Sequence, residues 1–176
     1  LFAPEHQLEA ILPPIKEERD KWGDFPIIAA GGIWDREDIE KIMDLGADAV
    51  QLGTRFIGTH ECDASPVFKQ VLLDSKEEDI VIVSSPVGYP GRAVKTNLIK
   101  TLEPDTKNIK CISNCIFPCN RGEGARRVGY CIADSLGDAY LGRLQSGLFF
   151  SGANGYKLKE IVHVKDLIDE LMTDVK

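Results

Sequence analysis

The residues of this chain best placed to do chemistry are glycines at the ends of two apolar runs. Gly31-Gly32 closes Ile27-Ile28-Ala29-Ala30, and Gly53, followed by Thr54-Arg55, closes Ala49-Val50-Gln51-Leu52. A bare backbone at a strand end lets a ligand approach where a Cβ would block it. Amide groups at such turns attract an anion such as phosphate. Gly31, Gly32 and Gly53 are therefore the candidate anion-binding residues, their amides serving as uncharged donors. Arg55 either adds charge to this site or forms a salt bridge elsewhere. Gln51 either joins the site or is a satisfied polar group at a strand end. One glycine after one strand is an ordinary turn. Two of them, on the same edge of a parallel sheet, are expected to face each other around a phosphate-sized space.

The second candidate set is Cys111, Cys115, Cys119 and Cys131; the fifth cysteine, Cys62, stands apart. Four thiolates in a compact segment can hold zinc or an iron–sulfur cluster. The gaps of three residues differ from the two-residue gaps of common zinc motifs, and Pro118 opposes a regular helix that would put three cysteines on one face. Free cysteine also packs as a small apolar residue, and reversible disulfides are a third option.

The elements that must position the glycines follow from periodicity. Asp35 to Leu45 has Ile39, Ile42, Met43 and Leu45 on one helical face, with Asp35 as its cap and Asp38 in its first turn. It joins the strands Phe25–Ala30 and Ala47–Leu52 into a strand–helix–strand unit. A helix over 4–22 is expected to be interrupted or restarted at Pro13-Pro14. Further helices are expected over 65–75, capped by Ser65 with Pro66 in its first turn, over about 130–145, and from Val164 to Met172. Ile80–Val83 is a short strand, Pro86–Asn97 a loop rich in glycine and proline, and Ser151–Gly155 a glycine-rich turn. Alternating strand and helix, then helices, suits a parallel α/β sheet with a helical appendix.

The bulk properties narrow the partners. The chain has 176 residues, 43% hydrophobic and 28% charged, with a formal net charge of −7. That composition is globular, and the acidic balance disfavours nucleic acid or an anionic membrane. No apolar run approaches the roughly 18 residues of a membrane helix. The opening residues carry no secretory pattern, so a disulfide framework is disfavoured and the expected location is the cytoplasm. The chain starts with leucine, which suggests a piece of a longer polypeptide.

Phe25-Pro26-Ile27-Ile28-Ala29-Ala30-Gly31-Gly32-Ile33, then Gly46-Ala47-Asp48-Ala49-Val50-Gln51-Leu52-Gly53-Thr54-Arg55-Phe56, then Gly91-Arg92-Ala93-Val94 with Asn97, resemble the nitronate monooxygenase family, formerly 2-nitropropane dioxygenase. That family includes flavin-dependent enoyl-acyl-carrier-protein reductases. The resemblance implies an FMN-binding (β/α)8 barrel. This chain would supply its C-terminal half over 1–100, with the cysteine segment and a helical appendix over 101–176. It places the FMN phosphate at Gly32 and at Gln51-Leu52-Gly53-Thr54. It also implies an oxidoreductase acting on a small molecule, most simply an alkyl nitronate oxidised with O2. The family's catalytic histidine would align upstream of Leu1, so no catalytic residue is assigned here, and His6, His60 and His163 have no such role. The implied partners are the N-terminal half of the barrel and a second copy of the chain in a homodimer. The alternatives are an enoyl-thioester reductase using a nicotinamide cofactor and a non-catalytic phosphate-binding half-barrel.

Overall fold

A computed structural model describes residues 7–23, 25–102, 112, 115, 119 and 129–173. Its contacts group the chain into two compact units, one of Leu1–Glu61 with Val162–Lys176 and one of Cys62–Ile161.

In the first unit, helix α1 (Leu8–Trp22) runs through Pro13 and Pro14 without a break. Both prolines are exposed, as are Glu9 and Ala10, whose carbonyls lose their intrahelical donors and face water instead. Strand β1 (Ile28–Ala30) and strand β2 (Ala49–Gln51) pair in parallel across helix α2 (Arg36–Asp44). The α2 start is set locally. Asp35 accepts the Asp38 amide at 3.0 Å, and Asp38 in turn accepts the Trp34 amide at 2.8 Å. Asp48 ties the first strand to the second: its carboxylate accepts the Ile27 amide at 2.7 Å and pairs with Arg19 at 2.7 Å.

Ile27 and Ala29 point toward the helices, and the core they enter contains Leu12, Ile39, Ile42, Leu167 and Leu171. The alternate positions Ile28, Ala30, Ala49 and Gln51 form an exposed sheet face. Helix α3 (Thr54–Ile57) follows β2 after Gly53. Helix α7 (Val164–Met172) has the bounds expected from its apolar spacing and buries Leu167 and Leu171. A parallel bridge between Thr59 and Val162 leads into it. The Glu61 carboxylate accepts the Val164 amide at 2.9 Å and pairs with His163 Nδ1 at 3.1 Å, supplying from afar the cap that α7 lacks in its own sequence.

In the second unit, helix α4 (Pro66–Leu73) begins at Ser65, whose hydroxyl accepts the Phe68 amide at 3.2 Å. Strand β3 (Ile80–Val83) pairs antiparallel with β4 (Gly91–Val94), register Ile80 with Val94. The stretch expected as a loop over Pro86–Asn97 therefore contains a strand and the start of helix α5 (Asn97–Thr101). Gly91 is required there, since a Cβ would meet the Phe150 ring at 2.8 Å. Helix α6 (Ile132–Tyr140) is shorter at both ends than the span expected over 130–145. Phe149 is fully buried and meets the Phe68 ring edge-on at 5.0 Å. Tyr130 is buried, its hydroxyl donates to the Ser84 carbonyl at 2.9 Å, and desolvation pushes it up to about 12.

Candidate functional site

The parallel ladder pairs Ile28 with Ala49, Ala29 with Val50 and Ala30 with Gln51. Gly32 and Gly53 each lie two residues beyond the last pair, so both turns leave the same edge of the sheet, at the carboxyl ends of its strands. Both turns belong to the first unit. Gly31 and Gly32 have φ of +100° and +79°, which side-chain-bearing residues rarely adopt. Gly53 has φ −119° and ψ −66°. Added Cβ atoms at Gly31, Gly32 and Gly53 would meet nothing within 4 Å among the described residues. The three glycines thus border open space that a side chain would fill, the shape an anion cradle needs.

The six expected residues contribute unequally. Gly31, Gly32 and Gly53 are exposed at the sheet edge. Thr54 is half-buried as the first residue of α3. Gln51 is exposed on the sheet face it shares with Ala30. The Leu52 side chain packs against the core, so only its backbone is available to a ligand.

Arg55 takes the salt-bridge option. Its Nη2 lies 2.8 Å from both Glu170 carboxylate oxygens, and its guanidinium sits 5.1 Å from the centre of the Trp34 ring. The arginine side chain is only 11% exposed.

A further polar group lies beside α7 and was not foreseen as a constellation. The His60 and His163 rings meet at a tilt with centroids 4.5 Å apart, and Glu61 pairs with His163. Glu61 and His163 are far apart in sequence, and no local pattern announces their meeting. His6 lies outside the described residues.

Three of the four expected cysteine ligands fall among the described residues. No group of three or more His, Cys, Asp or Glu there could hold a metal ion. Cys111 lies outside them. Cys115 and Cys119 are half-buried and Cys131 is buried at the start of α6, all as free thiols. Nor is any helix there long and apolar enough to cross a membrane.

Comparison with known proteins decides the family. The nitronate monooxygenase family model matches residues 3–174. The chain belongs to the nitronate monooxygenase family. Its curated relatives include a probable nitronate monooxygenase of Staphylococcus saprophyticus, 39% identical over 75 residues, which is 43% of this chain and 21% of that protein. Another, from Staphylococcus haemolyticus, is 36% identical over 85 residues, 48% of this chain and 24% of that protein. Among solved structures, FabK from Thermotoga maritima superposes with a TM-score of 0.69 at 23% identity, covering 95% of this chain and 48% of that one. Nitroalkane oxidase from Streptomyces ansochromogenes gives 0.65 at 22%, covering 96% and 43%. The chain thus spans less than half of these solved chains, and its matched stretches cover about a quarter or less of the curated relatives.

Family membership bears out the resemblance drawn from the glycine runs. The α/β character is also borne out, with one parallel and one antiparallel two-stranded sheet among the described residues.

Proposed function

We propose that this chain is the FMN-phosphate-binding part of a flavin-dependent oxidoreductase that oxidises alkyl nitronates with O2. The observation that carries the reading is the pair of glycine turns on one edge of the β1–β2 ladder, bordering open space. The amides of Gly31, Gly32 and Gly53, the backbone at Leu52 and the Thr54 hydroxyl would hold the phosphate, and Gln51 would approach from the sheet face. Amides suit this task because they supply donors without a competing proton equilibrium. Bound flavin would accept electrons from the substrate and pass them to O2.

The unit β1–α2–β2 has the form of one repeat of a (β/α)8 barrel, and its exposed face of Ile28, Ala30, Ala49 and Gln51 would be the face turned to the barrel interior. Strands from elsewhere in the full-length protein would close that barrel and bring the catalytic histidine that the family resemblance implies. The soluble small-molecule chemistry of this reading fits a cytoplasmic enzyme. A nitronate is favoured over an enoyl thioester because the family model and the curated relatives carry that description. The test is made on purified full-length protein. Flavin absorbance that survives gel filtration, with O2 consumption on addition of a nitronate, is the expected result. Oxidation of a nicotinamide cofactor by an enoyl thioester, without nitronate turnover, would replace the substrate assignment. Protein that neither retains nor rebinds flavin would overturn the reading.

A further inference from the structure

We propose that Arg55 is a positioning residue for the phosphate cradle, holding its two glycine turns together through Trp34 and Glu170 without touching the anion. The inference rests on the phosphate site proposed above. Trp34 lies two residues beyond Gly32, and Arg55 two residues beyond Gly53, so each glycine turn has one anchor immediately downstream. These anchors meet: the Arg55 guanidinium lies over the Trp34 ring at 5.1 Å. A guanidinium on an aromatic face is held by the ring quadrupole, and the attraction grows as water is excluded. Trp34 is itself fixed, being 7% exposed with its amide bonded to Asp38.

The far side of the guanidinium is held by α7. Nη2 reaches both Glu170 oxygens at 2.8 Å, and α7 is anchored in the core by Leu167 and Leu171. Tryptophan, arginine and glutamate therefore form one clasp from the first turn, through the second, to a packed helix. Guanidinium geometry suits it, since one planar group can stack and donate at the same time.

Two observations separate clasp from ligand. Glu170 already neutralises the arginine, so little net charge is left for a second anion. The Arg55 Nε is buried and has no hydrogen-bond partner among the described residues. That atom is shut off from solvent, so it is not presented to an incoming anion.

The sign of the effect at Glu170 discriminates the two roles. FMN and riboflavin, which lacks the phosphate, are titrated into flavin-stripped full-length protein by fluorescence. The variants are Glu170→Gln, Arg55→Met and Gly53→Val, with thermal unfolding measured for each. A clasp predicts that Glu170→Gln and Arg55→Met each weaken FMN by about tenfold and leave riboflavin unchanged. Combined, the two changes should cost no more than Arg55→Met alone, because that substitution already removes the contact to Glu170. If Arg55 were instead a phosphate ligand, removing its carboxylate partner would free its charge, and Glu170→Gln would tighten FMN. Tighter or unaltered FMN binding by Glu170→Gln overturns the proposal, as does a parallel loss of both ligands. If Gly53→Val leaves FMN affinity intact, the phosphate site itself is wrong, and the clasp falls with it. Glu170 is 53% exposed, so its conservative replacement leaves a folded protein to measure.

Discussion

Ala30 stands opposite Gln51 in the parallel ladder, and this one pairing aligns Gly32 with Gly53 at the same edge of the sheet. A Cβ at Gly53 meets no atom within 4 Å among the described residues, and the residue's φ of −119° lies outside the left-handed region that favours glycine. Gly53→Val is therefore expected to leave stability within about 0.5 kcal/mol of the parent, as for an exposed substitution. Its effect should fall on the ligand. Displacing a phosphate from its donors is expected to cost about 2 kcal/mol or more, the size of a hydrogen bond to a charged group. Flavin retention and urea unfolding of the same preparation check both halves.

Gly32 behaves in the opposite way. Its Cβ space is equally open, but its φ is +79°. Gly32→Ala is expected to destabilise the fold by about 1–2 kcal/mol through backbone strain alone. Gly32→Asn should recover part of that loss, because asparagine tolerates the left-handed region better than alanine. Denaturant midpoints rank the three proteins, and alanine equal to glycine would show that the turn relaxes.

The parts of this fold legible in the sequence are those set by local chemistry. Val164–Met172 and Ile80–Val83 were readable from apolar spacing, and the starts at Asp35 and Ser65 from capping residues. β4 was not, because Gly91 and its proline-rich approach suggest a loop, and only pairing with β3 makes it a strand. α3 and α5 are too short for a periodic signal. The expected break at Pro13-Pro14 failed because a solvent-facing side of a helix can leave carbonyls to water. The same division holds at the site. Its glycines announce themselves by type, whereas the Arg55–Glu170 and Glu61–His163 pairs join residues about a hundred positions apart.

The cap of α2 offers a local test of how firmly the first glycine turn is held. Asp35 accepts the Asp38 amide at 3.0 Å, and the helix it starts buries Ile39 and Ile42. Asp35→Ala is expected to lose about 1 kcal/mol, while Asp35→Ser should lose much less because its hydroxyl can still accept that bond. Thermal unfolding of the two variants gives the comparison. Equal losses would mean that Asp35 acts by its charge at the helix start rather than by capping.

Acid should weaken the first unit through two carboxylates. The Val164 amide, and next to it His163, hold Glu61 below its ordinary 4.5. The Ile27 amide, and next to it Arg19, hold Asp48 below 3.8. A carboxylate with a depressed folded-state pKa releases its proton more readily in the native state than in the unfolded one. Its contribution to stability is complete above the ordinary pKa and is lost as pH falls through the depressed one. Urea midpoints are therefore expected to hold between neutral pH and about pH 5, then to fall below about pH 4. Glu61→Gln and Asp48→Asn keep a carbonyl for the same amides but cannot titrate. Each should lower stability at neutral pH and flatten the acid limb, and the double variant should flatten it most. An acid limb of unchanged slope in the double variant would show that these carboxylates do not set the acid stability of the strand β1 and helix α7 anchors.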